Sequence, residues 1–146
     1  MDRFFEESSK AARERLKATV ERLSDADWDK SVGHGWTVKA ALAHIAHWDN
    51  RRVGQLAEWE RVGAKNVQFP QPDATVVNAA MLPSWLAMSP DEVKRNVIAN
   101  AEAVDRKMQG LSEDLLQLLL DKQPGVPFRT RHRSEHLDEI DRALGS

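Results

Sequence analysis

The stretch from Gly35 to Arg52, GWTVKAALAHIAHWDNRR, contains the start of a long helix. Thr37 is a typical N-cap residue, because its side-chain oxygen can accept a hydrogen bond from the first turn. When residues are placed about 100° apart around a helix axis, one arc becomes apolar and is expected to face a core. That arc consists of Ala41, Ile45, Trp48, Leu56 and Trp59. The pattern predicts a helix that runs to about Val62 and ends at Gly63.

Three more long helices are expected around this one. Apolar residues at helical spacing predict a first helix from Asp2 to about Leu23. The sequence SPDEV begins with a Ser cap at Ser89, followed by Pro at the first helical position and a glutamate that completes a capping box. It predicts a third long helix that reaches Gln109. The last helix is expected to run from about Arg129 almost to the end of the sequence.

The segments between the long helices are expected to be short or irregular. They are a turn capped by Ser24, an irregular Gly-rich piece over 30–36, a loop over 64–75, a short helix over 76–82 that is broken at Pro83, and a short apolar helix capped by Ser112. Strand-like alternation is nearly absent. The pattern therefore predicts an all-α fold, a four-helix bundle with a long connection between its second and third helices and with extra short helices. At 146 residues, we expect one domain over 1–146.

Composition limits the classes of function. A formal net charge of −2 argues against a nucleic-acid-binding protein, since such binding depends on neutralising many phosphates. The sequence contains no cysteine, which excludes disulfides, thiolate ligands and a protein thiol nucleophile. The first residues are too charged for a secretory signal, and no apolar run approaches membrane-spanning length. We expect a soluble, cytoplasmic protein with no nucleic-acid or membrane partner.

Four histidines form two pairs on predicted helices. His44 lies at the edge of the apolar arc of the second helix, whereas His47 lies towards the polar side and is expected to meet solvent. His132 and His136 lie one turn apart at the edge of the apolar face of the last helix. Two histidines at i and i+4 can bind one metal ion, and a third histidine from a facing helix would complete three nitrogen ligands. Such a centre keeps positions open, as catalytic sites do, and zinc, nickel or iron(II) would accept it.

A purely structural interpretation of these histidines stays open. Pairs at i and i+4 are common by chance, His34 lies in a Gly-flanked loop, and His44 alone is typical of a half-buried helix residue. The tryptophans at 28, 36, 48, 59 and 85 are most simply core and helix-anchoring residues. By spacing alone, the structural interpretation is favoured.

Three segments resemble the DinB/YfiT-like superfamily of metal-dependent four-helix-bundle proteins. GWTVKAALAHIAHWD resembles the family stretch G-W-S/T-V-x-x-x-x-x-H, with Trp36 and His44 in place. RHRSEHLDEI is similar to the family helix H-x-x-x-H-x-x-x-I, with His132, His136 and Ile140 in place. ERLSDADWDKSV resembles the turn that leads into the Gly-Trp element. The similarity extends over nearly the whole chain.

This resemblance implies a metal triad with one histidine from the second helix and two from the last: His44, His132 and His136. Related proteins include the N-terminal domain of mycothiol-dependent maleylpyruvate isomerase and transferases that use low-molecular-weight thiols. The resemblance therefore implies a divalent metal (zinc, nickel or iron), an external thiol or water, and a homodimer. It does not imply a particular small-molecule substrate.

The leading hypothesis is a metal-dependent enzyme of the hydrolase or thiol-dependent S-transferase type, in which the ion lowers the pKa of a bound water or thiol. Asp49 and Glu135 lie near the ligands in sequence and could orient a histidine, although such carboxylates are more often solvated. The loop over 64–75 could cover the site. The alternative is a non-catalytic protein that binds or sequesters a small molecule in an apolar pocket, with Trp48 or Trp85 in its wall. A third hypothesis is a structural bundle whose histidines are incidental.

Overall fold

Six α-helices and one small hairpin make up most of residues 3–145, the part of the chain that the computed structural model describes. The helices are α1 (Phe4–Arg22), α2 (Val38–Val62), α3 (Ala74–Ala87), α4 (Pro90–Gln109), α5 (Glu113–Lys122) and α6 (Thr130–Leu144). The strands are β1 (Ser31–Gly33) and β2 (Trp36–Thr37), and two 3-10 turns cover Asp25–Asp29 and Ala64–Asn66. The predicted first residue of the first helix, Asp2, lies outside the described residues.

The four long helices form the bundle. Helix α2 packs on α4 and α6, and α1 closes the arrangement by packing on the same two helices. Helix α3 lies against α2, within the long connection between α2 and α4. The all-α bundle with a long second connection and extra short helices is therefore confirmed. No helix among residues 3–145 combines the length and the apolar character that a membrane crossing needs.

The predicted apolar arc of α2 faces the core except at one position. Ala41, Ile45 and Leu56 are fully buried, and Trp59 is nearly so. Trp48 is only half-buried and lines a cavity, while the next residue, Asp49, has no exposed surface. The prediction that Trp48 faces the core was wrong, because two arginines of the last helical segment hold a carboxylate inside the bundle beside it.

Short-range hydrogen bonds fix the start and the end of α2. The Thr37 hydroxyl accepts from the Ala40 N–H at 3.1 Å, as the sequence predicted. At the other end, Gly63 takes a positive φ of 83°, which glycine adopts without strain, and donates to the Trp59 carbonyl. The helix that carries His44 is thus bounded by local chemistry alone.

Replacing Thr37 with alanine is expected to lower the free energy of unfolding by about 1 kcal/mol, because the Ala40 N–H loses its partner at a partly buried helix start. Urea denaturation measures the change. Thr75→Ala is the matched control, since this exposed threonine lies in the first turn of α3 and its side chain makes no hydrogen bond to any residue in the described range. Equal losses in the two variants would contradict the capping role.

The other predicted caps are also in place. Ser89 accepts from the Glu92 N–H at 3.2 Å with Pro90 at the first position of α4, and Ser112 accepts from the Leu115 N–H at 3.3 Å. Helices α4 and α5 begin where these signals placed them.

The Gly-rich piece over 30–36 was predicted to be irregular, but the structure forms a small hairpin there. Strands β1 and β2 pair antiparallel across a turn in which Gly33, His34 and Gly35 all have positive φ. Two glycines supply most of that geometry at low cost. The strands are too short to show an alternating pattern in sequence, yet they place His34 at the rim of a cavity.

Helix α3 is longer than predicted and passes through Pro83. Proline lacks the N–H that would bond the carbonyl of Ala79, four residues earlier. Both residues are exposed, so water can satisfy that carbonyl and the helix continues to Ala87. The prediction of a short helix over 76–82 broken at Pro83 was therefore wrong.

Candidate metal centre

The structure brings His44 of α2 together with His132 and His136 of α6. One ring nitrogen from each lies within 4.8 Å of the others, and the Nε2 atoms of His44 and His132 are 3.0 Å apart. Nitrogens bound to one tetrahedral ion at about 2.0–2.1 Å lie roughly 3.3 Å apart. Small side-chain adjustments would thus give three ligands to a single ion.

The electrostatics of the cluster favour neutral imidazoles at His44 and His132. Burial, with a smaller contribution from His136, lowers the pKa of His44 to about 3. Burial, followed by the positive charge of Arg129, lowers the pKa of His132 to about 2. Both rings therefore keep their lone pairs at neutral pH, which is the form that binds metals.

The buried Nδ1 nitrogens of the three rings, those of His44, His132 and His136, have no hydrogen-bond partner among the described residues. Buried polar atoms in native proteins are usually satisfied, so no protein group competes for these rings through Nδ1, while the Nε2 atoms of His44 and His132 face each other. Three converging imidazoles fit a divalent ion of the zinc, nickel or iron(II) class, since imidazole is a ligand that these metals accept.

A buried arginine holds α6 in position. Arg133, which follows His132, has no exposed surface and donates two hydrogen bonds to Asp105 of α4, at 3.0 and 2.9 Å. It also donates to the carbonyls of Ser9 on α1 and Ala101 on α4. Burial opposes its charge, but the hydrogen bonds to Asp105 and the charge of Asp49 raise the pKa of Arg133 overall. These contacts fix the rotation of α6 and hence the direction of its histidines.

Asp49 and Glu135 do not orient a histidine. Asp49 is fully buried and accepts from Nε and Nη2 of Arg129 at 3.0 and 2.7 Å. Glu135 is exposed and pairs with Arg131. The carboxylate nearest the triad is Glu139, whose Oε2 lies 3.5 Å from His136 Nδ1. The sequence could have indicated Glu139, because it lies three residues after His136 and therefore on the same face of the helix.

Aromatic rings surround the triad. The rings of Trp36 and Trp85 lie 5.1 and 5.4 Å from that of His44. His47 packs against Trp48 and Trp85, each 5.6 Å away, so it is half-buried and burial lowers its pKa. The expectation that His47 meets solvent was therefore only partly correct, although its ring stays outside the three-histidine cluster.

The triad opens into a cavity of about 620 Å³. Its lining residues are Val32, Gly33, His34, Trp36, His44, Trp48, Arg52, Ala74, Asn78, Arg129, His132, His136 and Glu139. The loop over 64–75 contributes only Ala74, and the hairpin and the first turns of α3 form the wall in its place. Trp48 lines this wall and donates from its indole N–H to Asn78 at 2.8 Å, whereas Trp85 lies behind His44.

The sequence analysis did not identify two arginines that line the cavity, Arg52 and Arg129. Their spacing from the histidines could have indicated them. Arg52 lies eight residues after His44 along α2, and Arg129 lies three residues before His132.

Comparison with known protein families shows which family the chain belongs to. The model of the DinB superfamily matches residues 9–137. Because this match covers most of the chain, the protein belongs to the DinB superfamily. Searches of curated proteins and of solved structures gave no significant match.

Proposed function

We propose that the protein is a divalent-metal-dependent enzyme whose open three-histidine centre activates a water molecule or a low-molecular-weight thiol. The observation that carries the proposal is the cluster of His44, His132 and His136, with ring nitrogens within 4.8 Å in the wall of a cavity. A bound ion would supply Lewis acidity, which lowers the pKa of a ligated water or thiol. Membership of the DinB superfamily supports this proposal.

The chain's own residues would prepare the centre in three ways. His44 and His132 present neutral nitrogens, Arg133 fixes the helix that carries two of the three histidines, and Trp36 and Trp85 shield the His44 side from water. A thiol would have to come from outside, because the sequence has no cysteine. The reaction class is therefore hydrolysis or thiol-dependent S-transfer.

Metal content tests the centre directly. Untagged protein, reconstituted separately with zinc, nickel and iron(II), is expected to retain about one ion per chain. His132→Ala should lose most of it, because removing a ligand weakens affinity by more than the roughly 10–100-fold that loss of a ligand's hydrogen-bond partner costs. His47→Ala is the matched control, since His47 lies on α2 but outside the cluster. A parent protein that retains none of the three metals, or equal losses in both variants, would overturn the metal centre.

Turnover separates the enzyme from the alternative, a non-catalytic binding protein. The cavity of about 620 Å³, walled by Trp36 and Trp48, has the size of a small-ligand site and supports that alternative. The metal-loaded protein should accelerate conjugation of a small thiol with monochlorobimane, or hydrolysis of 4-nitrophenyl acetate, and His132→Ala should not. A metal-loaded parent that accelerates neither reaction would favour the binding protein.

A further inference from the structure

We propose that the cavity takes a small anionic molecule, and that Arg52 and Arg129 bind its carboxylate or phosphate group while its other end lies at the histidines. This inference deepens the proposed function and rests on it only for what happens at the histidine end. The anion site itself depends on the two arginines.

The cavity borders a buried ion network that carries surplus positive charge. The network contains three arginines, Arg13, Arg129 and Arg133, but only two aspartates, Asp49 and Asp105. Asp49 is shared between two of these arginines, and so is Asp105. Arg129 uses Nε and Nη2 on Asp49, and no residue in the described part of the chain accepts from its Nη1. That donor remains available beside the cavity.

Arg52 adds a second cation at the same place. Its Nη1 donates to Gln55, its buried Nε has no hydrogen-bond partner, and no carboxylate among residues 3–145 forms an ion pair with it. Burial, followed by the charge of Arg129, lowers its pKa to about 10, so it is still protonated at neutral pH. Arg52 is half-buried and makes no ion pair with a described carboxylate, and Arg129 shares its only carboxylate with Arg133, so an anionic ligand would compensate positive charge at both arginines.

The positions along the helices give the ligand a direction. Arg52 follows His44 by eight residues on α2, a rise of about 12 Å, and Arg129 precedes His132 by about 4.5 Å of helix rise. Glu139 lies on the opposite side, beyond His136. The cavity is therefore positive at one end and carries a carboxylate at the other, which would orient an anion with its charged group away from Glu139.

Trp48 determines what lies in the middle of the ligand. It stands on the same α2 stripe, four residues after His44 and four before Arg52, and it lines the cavity. An apolar or aromatic segment would pack on it, between the anionic group and the reacting group. The planar guanidinium fork suits carboxylate and phosphate, which it can bind through two hydrogen bonds. The substrate class is thus a small organic acid or phosphate ester with an apolar segment.

Isothermal titration of the full-length protein tests the anion site. The probes are 3-phenylpropionate, its uncharged analogue 3-phenylpropanamide, and phenyl phosphate, added to metal-depleted protein so that no probe can ligate an ion. At least one anion is expected to bind about tenfold more tightly than the amide, because only charged groups gain the strong guanidinium hydrogen bonds. Preference for 3-phenylpropionate would identify a carboxylate, and preference for phenyl phosphate a phosphate.

Matched variants locate the binding. Arg52→Gln should weaken the preferred anion by about tenfold, whereas Arg51→Gln should leave it nearly unchanged. Arg51 is the neighbouring arginine on α2, lies 5.1 Å over the Trp48 ring and is not among the residues that line the cavity. If Arg52→Gln does not fold, Arg129→Lys with the exposed Arg131→Lys as control gives the same comparison.

Equal binding of the amide and both anions, or equal binding by the Arg52 and Arg51 variants, would overturn the anion site. The result is independent of the metal centre, because the titration uses metal-depleted protein. A chain that retains no metal yet prefers anions refutes only the proposed enzyme. A metal-loaded chain without anion preference refutes only this inference.

Discussion

Asp105→Ala is expected to lower the free energy of unfolding by about 3–5 kcal/mol, because it removes one partner of a buried ion pair and leaves the other charge uncompensated. Asp105 accepts from Arg133 at 3.0 and 2.9 Å and from Arg13 at 2.5 Å. Without it, the fully buried Arg133 keeps one carboxylate among residues 3–145, Asp49 at 3.5 Å, besides its two carbonyl acceptors. Urea denaturation with an unchanged m-value measures the loss.

The opposite deletion should cost less, although Arg133 is the more deeply buried partner. In Arg133→Met each aspartate keeps another arginine, Arg13 for Asp105 and Arg129 for Asp49. The remaining cost comes mainly from two lost hydrogen bonds to helix carbonyls, about 0.5–1.5 kcal/mol each. The exposed Asp138→Ala is the control and should cost about 1 kcal/mol or less. A larger loss in Arg133→Met than in Asp105→Ala would contradict the surplus of positive charge.

Metal-depleted protein is expected to unfold in mild acid. The pKa of His44 falls from 6.5 to about 3 on folding and that of His132 to about 2, chiefly through burial. Between these values and 6.5 the unfolded chain binds more protons than the folded one, so stability is fully present above pH 6.5 and falls as the pH is lowered. Each histidine contributes up to about 1.4 kcal/mol per pH unit. Two of them lower the free energy of unfolding by up to about 5.5 kcal/mol over two pH units, a large fraction of the roughly 5–15 kcal/mol of a typical domain.

Urea denaturation at a series of pH values between 7.5 and 4.5, in the presence of a chelator, measures this slope. His132→Gln removes one of the two groups and should reduce the slope by about half. His34→Gln, exposed on the hairpin turn, is the control and should keep the parent slope. A flat profile between pH 6.5 and 5 in the parent would show that the cluster is not buried as described.

Local chemistry explains which parts of the fold were predictable. The caps at Thr37, Ser89 and Ser112 act within three residues, so their signal is complete in the sequence. The course of α3 through Pro83 is different, because it depends on whether solvent reaches a carbonyl one turn away. The hairpin over 31–37 could not be predicted either, since strands of three and two residues are too short to show an alternating pattern.

The same distinction applies to the site. The helical wheel placed His44 rather than His47 towards the interior, and the spacing of His132 and His136 put both on one face. Asp49 was expected to be either a partner of a histidine or a solvated carboxylate, but its partner Arg129 lies 80 positions away in sequence. Burial of a charge is decided by such long-range pairing, which local patterns do not contain. The arginine end of the cavity therefore became visible only in three dimensions.

The distance in sequence between the ligands has a consequence for biosynthesis. His44 and His132 are separated by 88 positions. A ribosome that has just released α2 has not yet begun to translate α6, so a nascent chain exposes no complete set of ligands to the metal ions of the cell. Ion capture would therefore follow the docking of α6 between α1 and α2. In the proposed enzyme, an ion at the centre would mark a chain whose α6 has been synthesised and has docked in the bundle.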